Sequence, residues 1–231
     1  MKKIYLLIFS IIIASCSSTQ DTNTTPELEN PKYSYLALGD SYTIGESVPE
    51  AERWPVQLTQ HLRDRGFEMA APKIIAKTGW TTGNLIYAID EELNVQKDFD
   101  IVSILIGVNN QYQGKPVSEY EADLRKIFNR AVNHSKNLEK GVFAVSIPDY
   151  GYTPFGESRQ EEISAEIDQF NEVFRRIAGE FNVDFYNITP ISRQGLENPD
   201  LVASDNLHPS GLQYRYWVDE IVTEVAAKLS N

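Results

Sequence analysis

The histidines limit the choice of a catalytic base most, because the chain of 231 residues contains only three histidines. His61 and His134 fall within or at the end of helical patterns, where a boundary or solvated position explains them. His208 follows Asp205 by three residues and precedes Pro209. In a tight turn, the carboxylate can hold one ring nitrogen and leave the other free as a base. The alternative from this motif alone is a turn-capping aspartate beside an exposed histidine.

A histidine base needs a nucleophile, and Ser41 is the candidate. It follows a strand pattern and the pair Gly39-Asp40, where glycine permits a tight turn that pushes the serine out of the sheet edge. A hydroxyl is a useful nucleophile near neutral pH only when a base removes its proton. A turn or helix-cap serine is the alternative. Thr43 occupies the second glycine position of a G-x-S-x-G elbow, so that motif is not matched.

Two further positions could donate hydrogen bonds to a developing oxyanion. Gly79 could bring its backbone N–H close to a ligand, and Asn109 carries a side-chain amide after a strongly apolar segment. Their alternatives are a turn glycine and a capping asparagine. Histidine and cysteine clusters are absent from the sequence, as are the glycine-rich nucleotide motifs, so we expect neither a metal nor a cofactor.

Five short apolar segments are predicted to be strands that position these residues. Their ranges are 33–38, 73–76, 101–106, 142–147 and 183–186. Helical patterns separate them, and this alternation predicts a mainly parallel sheet with helices on both faces. Ligand sites in such sheets form beyond the carboxyl ends of the strands. Ser41, Gly79 and Asn109 all follow predicted strands, so we expect them along one edge of the sheet.

The predicted helices are identified by apolar stripes and by end signals. One helix is predicted over 55–65, and Ser118 with Glu121 is predicted to form a capping box for the next. Ser210 with Gln213 is predicted to form another box, at the start of the last helix. Apolar residues at spacings of three and four predict buried faces. These residues are Tyr120, Leu124, Ile127, Phe128 and Ala131; Ile163, Ile167, Phe170, Phe174, Ile177 and Phe181; and Tyr214, Trp217, Ile221 and Val225.

Taken together, Ser41 in G-D-S, Gly79, Asn109 in G-x-N and His208 in D-x-x-H-P resemble the sequence blocks of the SGNH (GDSL) hydrolases. The resemblance implies a flavodoxin-like, three-layer α/β/α sandwich with a mainly parallel five-stranded sheet. It also implies a serine esterase in which Ser41 is the nucleophile, His208 the general base and Asp205 its orienting acid. The implied oxyanion hole consists of the N–H groups of Ser41 and Gly79 and the side chain of Asn109.

Two residues depart from the common pattern of these hydrolases. Tyr42 stands where leucine is common, and Asn110 stands where many members have aspartate. Neither side chain has an assigned catalytic role, but both could alter the pocket or its supporting contacts. The substrate of any one relative is therefore not carried over.

The resemblance predicts hydrolysis of carboxylic esters or thioesters through an acyl-enzyme, and it leaves the physiological ester open. A lysophospholipase-like or thioesterase-like activity is one alternative, and removal of O-acetyl groups from a carbohydrate or cell-wall glycan is another. A catalytically silent binding lipoprotein is the alternative from a different class. Four aromatic residues near the predicted site could line an acyl pocket, stack on sugars or simply pack beneath loops. They are Trp80, Tyr112, Tyr150 and Tyr152.

The first residues have the composition of an export signal. Lys2 and Lys3 precede an apolar run over 4–13, which is too short to span a bilayer. Small residues then lead to Cys16, the single cysteine of the chain, and this end resembles a bacterial lipobox. The resemblance implies cleavage before Cys16 and attachment of lipid to it. We therefore expect an exported protein that is lipid-anchored in the bacterial cell envelope, at the periplasmic or outer-membrane face.

The domain organisation follows from this composition. Residues 1–15 are predicted to be the lipoprotein signal peptide, 16–32 a lipidated flexible tether poor in apolar residues, and 33–231 the hydrolase domain. The formal net charge of -12 argues against a nucleic-acid partner, which would require a basic footprint. The expected partners are an ester substrate and, through the anchor, a membrane; the sequence leaves the oligomeric state open.

Overall fold

A computed structural model describes residues 28–93 and 98–230. The predicted signal peptide, Cys16 and most of the predicted tether lie outside the described residues. Lys32, the last residue of the predicted tether, contacts the folded domain, because its backbone N–H donates to the carbonyl of Glu68 at 2.8 Å. No helix within the described ranges is long and apolar enough to cross a membrane.

Five parallel strands form one sheet in the order β2-β1-β3-β4-β5. The strands are β1 (Tyr35–Gly39), β2 (Lys73–Ala76), β3 (Ile101–Leu105), β4 (Val142–Val145) and β5 (Asp184–Tyr186). This is the flavodoxin-like order, in which successive strands are added first on one side of β1 and then on the other, and a crevice opens between β1 and β3 at this switch point. Leu38 pairs with Ile104 across that boundary, so the chain leaves β1 and β3 side by side.

Each predicted strand is confirmed, although most are one or two residues shorter than their apolar runs. The residues of β1, β3 and β4 are buried, as expected for central strands covered on both faces. Tyr33 lies before β1 and forms only an isolated bridge to Met69. Apolar character continues beyond the ladder because these loops remain packed against the core, and this explains the overestimate of strand length.

Eight α-helices connect and cover the strands within the described ranges. They are α1 (Ser41–Ile44), α2 (Trp54–Asp64), α3 (Thr82–Glu92), α4 (Val108–Tyr112), α5 (Val117–His134), α6 (Gln160–Glu180), α7 (Thr189–Ser192) and α8 (Gly211–Lys228). Helix α2 packs against α8, while α3, α5 and α6 pack in succession. These two groups cover opposite faces of the sheet and complete the three-layer α/β/α sandwich.

The predicted apolar stripes of α5, α6 and α8 face the core. The residues named for them are buried, except Phe181, which ends α6 and is partly buried against the core. Burial of such side chains stabilises the fold by about 1.5–3 kcal/mol each relative to exposure. The stripes therefore fix which face of each helix meets the sheet.

The two predicted capping boxes have different outcomes. The Ser118–Glu121 box is wrong, because Pro116 occupies the N-cap and its carbonyl accepts from the N–H groups of Glu119 and Tyr120. At α8, the Ser210 hydroxyl does accept from the N–H of Gln213 at 3.2 Å. The Gln213 amide, however, donates to the Leu201 carbonyl at 2.9 Å, so this box is only half formed.

Candidate active site

One cleft at the carboxyl edge of the sheet brings together four of the residues singled out from the sequence. Ser41, Gly79, Asn109 and His208 all line it, and its volume is about 320 Å³. They come from four separate segments, after β1, β2 and β3 and before α8. The cleft therefore lies beside the switch point between β1 and β3, where this sheet order creates a crevice.

Ser41 is the first residue of α1, and the chain turns sharply between the end of β1 at Gly39 and this residue. Glycine is required at position 39, because a Cβ there would lie 2.1 Å from the Thr43 hydroxyl and 2.5 Å from the Leu105 carbonyl. The Asp40 carboxylate caps the short helix by accepting from the N–H of Tyr42 at 3.1 Å. Ser41 itself is 5% exposed, so its surroundings are packed while it still lines the cleft.

Asp40 is a buried carboxyl group directly before the candidate nucleophile. Desolvation raises its pKa to about 7, although hydrogen bonds from the backbone of Tyr42 and Gly107 oppose this rise. The charge of this aspartate therefore changes near neutral pH, and its protonation couples to the stability of the turn that carries Ser41.

Asp205 and His208 form the predicted tight turn. The Asp205 Oδ2 atom lies 2.6 Å from the His208 Nδ1 atom, while Oδ1 accepts from the backbone N–H of His208 at 2.9 Å. Asn206 has a φ of 64°, and the Ala203 N–H donates to the His208 carbonyl at 2.7 Å to close the loop. When Nδ1 carries the proton, it donates to the carboxylate and leaves the lone pair of Nε2 available as a base.

Ser47 supports this turn and was not identified from the sequence. Its hydroxyl donates to Asp205 Oδ2 at 2.6 Å across 158 residues of chain. Partial burial acts to raise the pKa of Asp205, but hydrogen bonds from Ser47, His208 and Leu207 outweigh it and hold the pKa well below its ordinary value. Ser47 adopts a φ of 65° in the loop after α1, and no local motif indicates its long-range partner.

Tyr42 packs against the imidazole of His208. The two ring centroids are 5.8 Å apart, with an angle of 64° between the ring planes. Burial raises the pKa of the Tyr42 phenol well above its ordinary value, so this side chain is a neutral wall for the imidazole. The residue that departs from the common leucine therefore contacts the candidate base directly.

Gly79 occupies the tight turn that follows β2. The Trp80 N–H donates to the Lys77 carbonyl at 3.2 Å, and Gly79 has a φ of +83°, which the third position of a type II turn requires. No atom would obstruct a Cβ there, so the backbone conformation is the reason for glycine. The Thr78 hydroxyl also bonds to the Glu46 carboxylate, which ties this turn to the loop after α1.

Asn109 lies in the first turn of α4, and its amide is already oriented. The Nδ2 group donates to the Trp80 carbonyl at 3.0 Å. A primary amide carries two hydrogens, so this bond fixes the plane of the side chain and leaves a second N–H for a ligand in the cleft. The two candidate donor segments are therefore joined directly by a hydrogen bond.

Three aromatic rings form one wall of the cleft. Tyr112, Tyr150 and Phe155 contact one another with centroid separations of 6.3–6.4 Å. Tyr112 and Tyr150 were expected near the site, whereas Phe155 was missed. Trp80 and Tyr152 do not line the cleft, because Trp80 packs against the core and Tyr152 is half-buried in the loop beside it.

The remaining histidines lie away from the cleft. His61 is on α2, with Nδ1 3.5 Å from an Asp219 carboxylate oxygen, and His134 is the last residue of α5. Across residues 28–93 and 98–230, no group of three or more histidine, cysteine, aspartate or glutamate side chains could hold a metal ion.

Comparison with known proteins identifies the family of the chain. The model of the GDSL-like Lipase/Acylhydrolase family matches residues 37–216. An arylesterase of Vibrio mimicus is 24% identical over 193 residues, which cover 84% of this chain and 88% of the relative.

Solved structures share the fold at low sequence identity. TesA has a TM-score of 0.68 at 16% identity and covers 85% of this chain and 99% of its own. The acetyl xylan esterase AlAXEase has a TM-score of 0.66 at 15% identity and covers 83% of this chain and 99% of its own. These likenesses concern the fold, whereas the family match spans most of the chain. The chain therefore belongs to the GDSL-like lipase/acylhydrolase family and is an ester-hydrolysing enzyme of the SGNH type.

Proposed function

We propose that the protein is a serine esterase whose acyl-enzyme forms on Ser41. The main support is the convergence of Ser41 and His208 in one cleft, with His208 held by Asp205 at 2.6 Å. A serine hydroxyl needs a base to remove its proton, and an imidazole oriented by a carboxylate is such a base.

The proposed reaction has two halves. His208 accepts the Ser41 proton through Nε2 while Ser41 Oγ forms a bond to the ester carbonyl carbon. The tetrahedral intermediate collapses as the C–O bond to the alcohol breaks, and His208 returns the proton to that leaving oxygen. In the second half, His208 takes a proton from a water molecule as the water oxygen bonds to the acyl carbon. The bond between that carbon and Ser41 Oγ then breaks, His208 returns the proton to Oγ, and the acid leaves.

Three donors are proposed to hold the charge that develops on the carbonyl oxygen. They are the backbone N–H groups of Ser41 and Gly79 and the side-chain amide of Asn109. Removal of one donor in sites of this kind typically lowers the rate by about 10²–10³-fold. The hydrogen bond from Asn109 to the Trp80 carbonyl supports this assignment, because it orients the amide before substrate binds.

We propose that the preferred substrates are carboxylic esters with a short acyl chain or an aromatic group. The cleft volume of about 320 Å³ is near the lower end of the range of about 300–1,000 Å³ for small-molecule sites. Its walls include the aromatic rings of Tyr112, Tyr150 and Phe155 together with Val108 and Leu207. Apolar walls in a small cleft favour compact apolar groups over long lipid chains.

Removal of O-acetyl groups from a carbohydrate is a second candidate. Tyr112 and Phe155 are 58% and 49% exposed, and both border the cleft. Exposed rings of this kind can stack on the apolar face of a sugar, while an acetyl group fits the space beside Ser41. The acetyl xylan esterase named above supports this alternative only in that it has the same fold.

Acyl-chain profiling separates these functions. With p-nitrophenyl esters, we expect kcat/KM to be highest for acetate to butyrate and to fall at least about tenfold by palmitate, since surplus methylenes cannot be buried in the cleft. Rising kcat/KM towards palmitate would instead favour a lysophospholipase-like or thioesterase-like enzyme. Turnover restricted to acetyl esters, with acetylated xylooligosaccharides preferred, would favour the carbohydrate esterase.

We also propose that the mature enzyme is exported and anchored to a bacterial envelope membrane through lipid on Cys16. The support is the charged start, the short apolar run and the single cysteine in a lipobox-like end. Full-length protein expressed in bacteria should partition into the detergent phase, and the Cys16→Ser variant should not. Equal partitioning of the two proteins would contradict the anchor.

A further inference from the structure

Asn110 makes two buried hydrogen bonds that the proposed chemistry does not explain. It follows Asn109 on α4 and has no solvent exposure. Its Oδ1 atom accepts from the backbone N–H of Thr82 at 3.0 Å, and its Nδ2 group donates to the Thr82 hydroxyl at 2.8 Å. The Asn110 amide thus makes two hydrogen bonds to Thr82, and these fix the orientation of both side chains.

Thr82 begins α3 and lies three residues after Gly79. The Asn110–Thr82 pair therefore holds the start of α3 against α4, the helix that carries Asn109. The bond from Asn109 to the Trp80 carbonyl joins the same two segments at a neighbouring point. Together these three hydrogen bonds connect the backbone that carries one proposed oxyanion donor to the side chain that supplies another.

We propose that Asn110 is a positioning residue that sets the spacing between Gly79 and Asn109 in the oxyanion hole. The inference rests on the proposed roles of those two donors. An oxyanion hole stabilises the transition state only when its donors are about 2.7–3.1 Å from the developing charge. A small displacement between the two segments would therefore reduce kcat, because the donors would no longer converge on one oxygen.

The surroundings explain why the residue is an amide. The Thr82 hydroxyl donates its single hydrogen to Asp123 Oδ2 at 3.0 Å, so it must accept from any second partner. The Asn110 amide can donate to it, whereas an aspartate carboxylate cannot. Aspartate at position 110 would also place two carboxylates around one buried hydroxyl. Lys126, whose Nζ lies 2.9 Å from Asp123 Oδ1, pairs with only one of them.

This pattern predicts a reciprocal swap. In the Asn110→Asp variant, the donor to Thr82 is lost and the carboxylates repel each other. In the double variant Asn110→Asp with Asp123→Asn, the new aspartate accepts from both the N–H and the hydroxyl of Thr82. The new asparagine donates to the hydroxyl and can still accept from Lys126. Each donor among the side chains at positions 82, 110 and 123 then has an acceptor again.

The test measures kcat, KM and thermal midpoint with p-nitrophenyl butyrate. We expect Asn110→Asp and Asn110→Ala to lower kcat by about 10–100-fold with KM changed less than about threefold, because donor geometry is lost while the aromatic wall remains. The double variant should recover most of the lost kcat. Thr82→Ser, which keeps the hydroxyl and the backbone N–H, should lower kcat less than Asn110→Ala does.

Two outcomes would overturn the proposal. One is a folded Asn110→Ala or Asn110→Asp protein whose kcat stays within about twofold of wild type. The other is a double variant that regains the thermal midpoint without regaining kcat, which would limit the network to stability. If the double variant does not fold, the Asn110→Ala variant alone tests the inference. A change in KM with kcat unchanged in that variant would also contradict it. Failure of the proposed serine chemistry would appear separately, as full activity in Ser41→Ala.

Discussion

Two aspartates lie next to the proposed nucleophile and base, and their surroundings shift their pKa values in opposite directions. Asp205 accepts hydrogen bonds from the Ser47 hydroxyl, the Leu207 backbone, and both the backbone and imidazole of His208. Its pKa lies well below the ordinary range, so it remains an anion at working pH. Asp40 is fully buried with fewer donors, and its pKa is raised to about 7.

The difference shows that the balance between burial and hydrogen-bond donors determines the charge of a carboxyl group here, because desolvation prevails at Asp40 and the donors prevail at Asp205. A permanent anion beside His208 suits the orientation of the imidazole and the stabilisation of its protonated form. Asp40 is buried inside the turn before Ser41, and this burial raises its pKa, although the hydrogen bond from the Tyr42 N–H that caps α1 favours the anion. Activity below neutral pH should therefore be limited by protonation of groups other than Asp205.

Removal of the Asp205 charge should produce the largest effect. In Asp205→Asn, the amide can present an N–H group to His208 Nδ1 and favour the tautomer whose Nε2 is protonated. We expect kcat to fall by about 10³-fold or more, as measured by steady-state hydrolysis of p-nitrophenyl butyrate. Ser47→Ala removes only one donor to the same carboxylate and is the matched control, with an expected loss of about tenfold or less. Equal losses in the two variants would contradict the assigned hierarchy.

Removal of the Asp40 charge should act on stability through pH. Because the pKa of Asp40 is raised on folding, the native state holds more protons than the unfolded state between about pH 4 and 7, and the stability contribution of this group falls as pH rises through that window. From pH 5 to pH 8, wild type should lose about 2–3 kcal/mol relative to Asp40→Asn. Urea unfolding of both proteins at the two pH values measures this difference. Parallel profiles would contradict the raised pKa.

The sequence predicted the features that depend on neighbouring residues, and it did not predict those that depend on residues far apart in the chain. The strands and the buried stripes of α5, α6 and α8 were predictable because their apolar periodicity is a local signal. The turn that joins Asp205 and His208 was also predictable, since its partners are three residues apart. The alignment of Ser41, Gly79 and Asn109 at one sheet edge followed from the rule for parallel strands.

Other features depend on contacts that form only after the chain folds. Ser47 contacts Asp205 across 158 residues of sequence, and Phe155 joins the aromatic wall from a loop that has no regular sequence pattern. The bidentate contact of Asn110 with Thr82 likewise has no sequence signature. The capping-box error at Ser118 has a local cause, because the sequence pattern resembled a cap while Pro116 already occupied that position.

The most direct test of the proposed chemistry is labelling by a fluorophosphonate probe, which reacts with an activated serine. Wild-type protein should be labelled, and Ser41→Ala should show no labelling while retaining its thermal midpoint. Ser47→Ala is the control, because its serine lies beside Asp205 and should not be the labelled residue. Persistent labelling of folded Ser41→Ala, or absence of labelling in folded wild type, would contradict the assignment of Ser41 as the nucleophile.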